Sequence, residues 1–455
     1  MQPESQTNGE ERDFPLPLAP FEAYMLADHR DVYPMHFYFR MVLRGHLERE
    51  PFTQSLTESI RRHPLLRAKV RPRFGRSPVW ESAADVCIRE CDLGFEDLSE
   101  VLQARRIDLT TEAGLRTWLF KGPLDTQLLF EFHHSCCDGL GALIFLEDVL
   151  LAYHRIVAGT AAADRACQNS GLATRAAIPL TARQKLCKMP LDVRDFFRIS
   201  FRRPAMAAMA AETKQKAFDR DLSAYLSHQS SSAELTALLA AARMQGTTLN
   251  NILMTDVYRS LDQWMSQCGD SGHRWIRMAV PASIRADSRV TNTCCNQVTI
   301  MFLDQHSSDI RNSDSLLDRV TKLTRFHRES NIWYSMLQLL DALAAVPLLM
   351  HLYLRTNRRM CTTVLSNVGR AFESCSQPRN KGRLTVGDMQ LTSLNFLSPL
   401  RPGTDVTFGV VTYAGSLSLS MHYKPHRIPE IQARKLFDLL VRNLQQSART
   451  GSPVS

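Results

Sequence analysis

The sequence predicts an α/β (α+β) protein with two sheets. Two observations carry this. Strand-like and helix-like segments interleave through both halves of the 455 residues, and that length is too great for one ordinary core. The composition agrees, since 44% hydrophobic and 22% charged residues are the balance of a globular chain rather than a disordered one.

The elements follow in order. Residues 34–45, PMHFYFRMVLRG, are rich in aromatic and β-branched residues and end in Gly45, which predicts a strand. Residues 47–63 place Phe52, Leu56 and Ile60 four apart, one apolar stripe of a helix that Pro64 closes. LLRAKVRP reads as a strand, with residues 77–80 as its hairpin partner. Residues 114–122 and 126–134 predict two strands joined by the Pro123-Leu124-Asp125 turn, and 139–156 predict a strongly apolar helix.

Residues 157–182 are rich in Ala, Thr and Ser and predict a linker. The stretch 183–203 is basic and in places amphipathic. It predicts a surface helix lying across the two halves, with membrane or partner docking as its other use.

In the second half, helices are expected over 232–246, ending in a glycine, and over 247–264, opening on threonines suited to capping. Strands are expected at 275–285, 296–303 and 361–370, followed by a hairpin over 405–423 turning at Ala414-Gly415 and a helix over 429–446. The boundaries are therefore 14–156 for an N-terminal unit, 157–215 for the linker and crossing segment, and 216–447 for a C-terminal unit. Residues 1–12 and the last few should be loose.

A net charge of +9 suits anionic partners: phosphorylated cofactors, an acidic carrier protein or an anionic membrane surface. No zinc knuckle, RNP-like strand or basic heptad region supports nucleic acid. There is no secretory signal. Eleven cysteines are an odd number without a C-x-x-C pair, so a reduced, cytoplasmic chain is expected. Residues 336–354 are the most membrane-like stretch, but Asp341, Pro347 and His351 favour a buried core helix over an interfacial one.

The chemistry concentrates in EFHHSCCDGLG, residues 131–141, at a strand-to-helix junction. Three readings compete. A metal site is disfavoured because His133 and His134 are strand neighbours facing opposite ways, and no further ligand pair lies nearby. A cysteine nucleophile at Cys136 is within sequence reach of His134 but lacks any hydrolase signature, and both cysteines read better as fillers of a tight turn. The third reading takes His134 as a general base, Asp138 as a helix N-cap and Gly139 and Gly141 as points of close backbone approach.

His133-His134-Ser135-Cys136-Cys137-Asp138-Gly139 matches HHxxxDG and resembles the motif of the chloramphenicol-acetyltransferase-like superfamily of condensation domains, wax-ester synthases and related acyltransferases. Gly45-His46-Leu47, Arg62-His63-Pro64-Leu65-Leu66-Arg67, Val280 to Arg285 followed by Asn296, and Ser366-Asn367-Val368-Gly369 are similar to further regions of those families, in the same order over residues 14–447. The resemblance implies two similar subdomains, each a mixed sheet flanked by helices, with an active-site channel between them. It implies His134 as general base, transferring an acyl group from a thioester to a hydroxyl or amine. Asp138 would pair with Arg285, with His133 and Gly139 in support and Asn296, Ser366 and Asn367 as channel or support residues.

It further implies no metal and no permanently bound cofactor. Acyl-CoA or a phosphopantetheine thioester would be the co-substrate, a small molecule or lipid the acceptor, and an acyl carrier protein an alternative donor. A non-catalytic lipid- or partner-binding member is the contrasting expectation. The DFGWG motif of plant-type acyltransferases is absent, as are adenylation and phosphopantetheine-attachment signatures, which predicts a free-standing enzyme. Val368-Gly369-Arg370 replaces the Pro-Gly-Pro ending of many wax synthases and leaves the branch open.

Overall fold

The computed structural model describes residues 14–450 except 75, 84–87, 92–100, 103–105, 161–168, 179, 208–222, 270–271, 288–291, 313–314, 347–348 and 357. The ends expected to be loose, part of the linker and the boundary expected at 215–216 lie outside the described residues.

Among the described residues the strands form three sheets. The first has seven strands in the order Arg379–Asn380, Arg383–Val386, Met389–Leu397, His36–Arg44, Asp125–His133, Leu115–Lys121 and Ile88–Cys91. The second has six: Val298–His306, Trp275–Ser283, Thr363–Arg370, Val406–Tyr413, Ser416–Tyr423 and Ala224–Gln229. Both are mixed. Ile88–Cys91 runs parallel to its neighbour, and Thr363–Arg370 runs parallel to the strands on either side of it. A three-stranded sheet pairs Leu16–Pro17 and Ala68–Arg73 with Arg76–Ser82.

Local chemistry explains most boundaries. Helix Arg49–Arg62 buries Phe52, Leu56 and Ile60, and Pro64 opens the short 3-10 turn that follows. Helix Leu249–Gln267 is capped by Thr248, whose side chain accepts the Asn251 N–H at 3.2 Å. The Val406–Tyr413 and Ser416–Tyr423 strands turn at Ala414 (φ 47°) and Gly415 (φ 76°), the two positive angles that a tight type I′ hairpin requires. The 336–354 stretch divides into helices Ser335–Ala344 and Leu349–Arg355. No single helix among the described residues is long and apolar enough to cross a membrane.

The structure corrects the organisation read from the sequence in three places. Residues 223–231 open the second half with a strand, Ala224–Gln229, before its first helix. Helix Leu316–Glu329 went unread between the 296–303 strand and the 336–354 stretch. Most consequentially, Arg379–Leu397 lies within the expected 216–447 unit yet pairs with the first sheet: Gln390 stands opposite Arg44 and Phe396 opposite Phe39. The chain leaves the second sheet after Thr363–Arg370, adds strands to the first, and returns at Val406. Each sheet is thus completed by the same C-terminal half.

That crossing brings the two sheets together. Asn395 Nδ2 donates to Ser418 Oγ at 2.6 Å, the Ser420 hydroxyl donates to the Phe396 carbonyl, and His422 Nδ1 lies 2.9 Å from the Ser398 carbonyl oxygen. A β-carbon added at Gly409 would lie 2.6 Å from that same Phe396 oxygen. Only hydrogen fits there. The core follows the same plan, with one apolar cluster under each sheet and a third between the halves. The third joins Phe21, Tyr24 and Met35 to Ile284, Phe302 and Met336.

An ion pair at the motif also spans the halves. Asp138 Oδ1 accepts from Arg285 Nη2 at 3.0 Å, and both side chains are nearly buried.

Two outcomes follow. Gly409→Ala should destabilise the chain by about 1–3 kcal/mol, since the clash falls on backbone; chemical denaturation measures it, and an unchanged midpoint would show that the sheets can part without cost. Asp138→Ala should cost about 3–5 kcal/mol by leaving the arginine charge buried. The Asp138→Ala, Arg285→Ala double variant should then lose at least ~1 kcal/mol less than the sum of the singles. Strict additivity would show that the two groups do not act as a pair.

Candidate functional site

The junction at residues 131–141 is built from both halves. Strand Asp125–His133 pairs with His36–Arg44 up to His133 opposite His36, and the next backbone group, the His134 N–H, donates to the Met35 carbonyl at 2.7 Å. Helix Gly139–Val157 then begins, with Asp138 as its N-cap: Oδ1 accepts the Gly141 N–H at 2.7 Å. The same carboxylate accepts from Arg285 through Oδ1 and from the Gln297 N–H through Oδ2 at 2.7 Å. Arg285 also donates to the carbonyls of Thr293 and Cys295 and to Gln297 Oε1.

The glycines permit this closeness. A β-carbon at Gly141 would lie 2.8 Å from Arg285 Nη2 and 2.9 Å from the Cys295 carbonyl oxygen. One at Gly139 would lie 2.6 Å from Val368, in the Ser366–Gly369 stretch.

The His134 ring lies 5.9 Å from the Phe21 ring and 5.2 Å from the Phe37 ring, centroid to centroid. Burial lowers its pKa, and the nearby carboxylate of Asp138, the side chain of Asn296 and the carbonyls of His134 and Cys137 only partly oppose this. The imidazole is therefore neutral at neutral pH, the form a base requires. Asn296 fixes the loop by donating from Nδ2 to the His134 carbonyl at 2.8 Å and to the Ser135 carbonyl at 3.0 Å. Three buried polar atoms lack a hydrogen-bond partner here: His134 Nδ1 and Ser135 Oγ on the loop and Asn296 Oδ1 beside it.

His133 faces the other way, as strand alternation requires. Its Nε2 lies 3.0 Å from His29 Nδ1, and the ligand atoms of His29, His36 and His133 all lie within 4.8 Å of one another. Their hydrogen bonds form a short relay from Ser135 through His133 to His29, and a separate link from His36 to Glu131. The Ser135 N–H can only donate, and it donates to His133 Nδ1 at 3.1 Å, so the proton of a neutral His133 sits on Nε2. That proton points at His29 Nδ1, which also receives the Met35 N–H at 3.3 Å. His36 gives its Nδ1 proton to Glu131 Oε1 at 2.8 Å, where Tyr38 donates at 3.2 Å and Arg116 balances the charge. Burial holds His36 and His133 well below the ordinary histidine range, so neither carries a charge beside the arginine.

The cysteine reading does not survive the geometry. Cys136 and Cys137 are wholly buried, and burial pushes both thiols well above the ordinary range, the opposite of an activated nucleophile. Cys136 fills the space over Gly114, where a β-carbon would fall 2.1 Å from its sulfur. Cys294 and Cys295, from the other half, are buried in the same core.

The remaining residues predicted from the sequence sit close by with different partners. Ser366 stands opposite Gly409 in the second sheet, and Asn367 donates to Asn250 Oδ1 at 3.3 Å while accepting the Gly369 N–H. The Gly141 N–H at the helix start is committed to Asp138, so it offers nothing to a substrate. His29, His36, Glu131 and Gln297 were not singled out in the sequence. For His36 and Glu131 the signal was a polar residue between apolar neighbours, Met35 and Phe37 for the one and Phe130 and Phe132 for the other. For Gln297 no signal exists, because it acts through its backbone. A cavity of about 440 Å³ elsewhere in the molecule is lined by Val193, Phe196, Met336 and Tyr353 among others, and by no motif residue.

No family model matches the chain. One curated relative, a linear gramicidin synthase from Brevibacillus parabrevis, is 28% identical over 159 residues, which are 32% of this chain and 3% of that far longer protein. The solved structures agree over nearly the whole length. The trichothecene 15-O-acetyltransferase of Fusarium sporotrichioides superposes with a TM-score of 0.71 at 13% identity, covering 94% of each chain. The epimerization domain from the third module of tyrocidine synthetase B gives 0.66 at 15% identity, covering 96% of this chain and 98% of its own. Polyketide synthase associated protein 5 of Mycobacterium tuberculosis gives 0.62 at 15% identity, covering 95% and 98%. With its two mixed sheets and its strand exchange, the chain shares the two-subdomain fold of these acetyltransferase and epimerization-domain structures.

Proposed function

We propose that the chain is an acyltransferase that moves an acyl group from a thioester, acyl-CoA in the first instance, to a hydroxyl or amine. The observation that carries this reading is the neutral His134 imidazole, held by backbone bonds from both halves and accompanied by unpartnered polar atoms on Ser135 and Asn296. The acetyltransferase among the structural neighbours acts, by its name, on an oxygen.

In the proposed reaction the His134 ring takes the proton of the acceptor hydroxyl or amine as that atom attacks the thioester carbonyl. The tetrahedral adduct collapses, the carbon–sulfur bond breaks, and the leaving thiolate recovers the proton from the imidazolium. The products are an ester or amide and a free thiol. The step calls for proximity and a correctly placed base. Asp138 and Arg285 act only through the loop they hold, and His133 fixes the strand end through its relay.

A second reading takes the acyl group from a carrier protein, as the sequence match to a peptide synthase favours. The two are separated by the donor. Thiol release from a panel of acyl-CoAs, with alcohol and amine acceptors, should fall by about 10²–10⁴-fold in His134→Ala, with the melting temperature held near that of the parent. Transfer only from an acylated carrier would select the second reading. A folded parent protein inactive with both donors, or a His134→Ala variant as active as the parent, would overturn the proposal.

A further inference from the structure

Helix Ala182–Phe201 is built inside out. Its polar stripe faces the body of the protein. Lys188, 3% exposed, holds both oxygens of Asp192 at 2.7 Å. Arg198 binds Asp195, the Phe302 carbonyl at 2.6 Å and Asp304 at 2.8 Å, and Arg202, just past the helix, reaches Asp304 at 3.1 Å while stacking over Trp275. The apolar stripe faces outward. Leu186, Met189, Val193, Phe196, Phe197 and Phe201 recur at helical spacing, and each is between 47% and 74% exposed. A soluble surface helix has the opposite arrangement.

The stripe is long, running about 22 Å from Leu186 to Phe201 at about 1.5 Å per residue. The 440 Å³ cavity is lined by Val193, Phe196 and Phe197 of the stripe and by Tyr353 of helix Leu349–Arg355, which exposes Leu349 and Leu352. The exposed charges of the helix itself have one sign. The exposed charged residues of the helix are Arg183, Lys185 and Arg194, with Arg203 following, while its two aspartates turn inward. Asp341, beside Lys185, is the acidic group that faces them.

An outward apolar face with a cationic border is the pattern of a helix lying in a membrane interface, its apolar side chains in the acyl region and its cations at anionic headgroups. We infer that this helix seats the protein on an anionic lipid surface. A small acidic carrier would satisfy the cations but would leave the apolar stripe, about 22 Å long, uncovered. The inference is independent of the transfer chemistry.

Co-sedimentation of the full chain with vesicles tests it. Phosphatidylcholine vesicles containing phosphatidylserine should bind the chain at least ten times more strongly than phosphatidylcholine alone, with binding weakened by salt. Phe196→Ser, Phe197→Ser and Phe201→Ser combined should reduce that partition at least tenfold without changing the melting temperature. Arg183→Gln, Lys185→Gln and Arg194→Gln combined should remove most of the preference for phosphatidylserine. The inference is overturned by absence of binding to the anionic vesicles, or by equal binding of the triple serine variant. A lower melting temperature in that variant, or a vesicle-free dimer that it abolishes, would equally overturn it, by showing the stripe covered within the chain or by a second copy.

Discussion

The Asp138 carboxylate is the point on which the site depends. It is at once a helix cap and an ion-pair partner, with Gly141, Arg285 and Gln297 all donating to it. The first bond is local and would form in any helix beginning at this residue. The other two come from about 150 residues away and exist only when the halves are assembled. A charge accepting three donors is stable where it is buried, and an arginine whose other donors already serve backbone carbonyls is held in one orientation. The strand end carrying His134 is therefore fixed by an interaction that reports on assembly of the whole molecule.

Assembly itself rests on strand exchange. Because Met389–Leu397 pairs with His36–Arg44, the C-terminal half cannot rotate away without breaking a sheet. The close approach at Gly409 and the hydroxyl bonds of Ser418 and Ser420 then set the angle between the sheets. His134 lies where that angle leaves a seam, with Phe21 and Phe37 beside its ring and Asn296 gripping its carbonyl. A rigid frame of this kind suits chemistry that asks for placement of two reactants rather than for a covalent intermediate.

The same rigidity accounts for the histidines that do no chemistry in this scheme. His29, His36 and His133 form a neutral cluster, with the His133 tautomer set by the Ser135 N–H and that of His36 by Glu131. Three imidazoles so close would repel if charged, and burial keeps them neutral. The crossing helix shows the reverse economy of charge, with its ion pairs turned inward as anchors and its phenylalanines left facing out.

Much of this was legible in the residues. Asp138 as a cap, the turn at Ala414-Gly415, the apolar stripe of helix Arg49–Arg62 and the hairpin ending in the motif all follow from short-range rules of spacing, capping and backbone angle. The amphipathic character of 183–203 was equally plain. What those rules could not say is which partner each face would meet. The strands at 383–397 went unread in the sequence, and their place in the first sheet depends on a partner some 350 positions away. A helix's period shows two faces, and only the anchoring of Arg198 and Arg202 to Asp304 decides that the apolar one points outward. The cysteine doublets look reactive as text and become inert once burial denies them a charge. Elements and motif could be read from the chain alone, because they depend on neighbours along it. Strand order, burial and protonation came only with the folded molecule, because each is set by groups that meet in space.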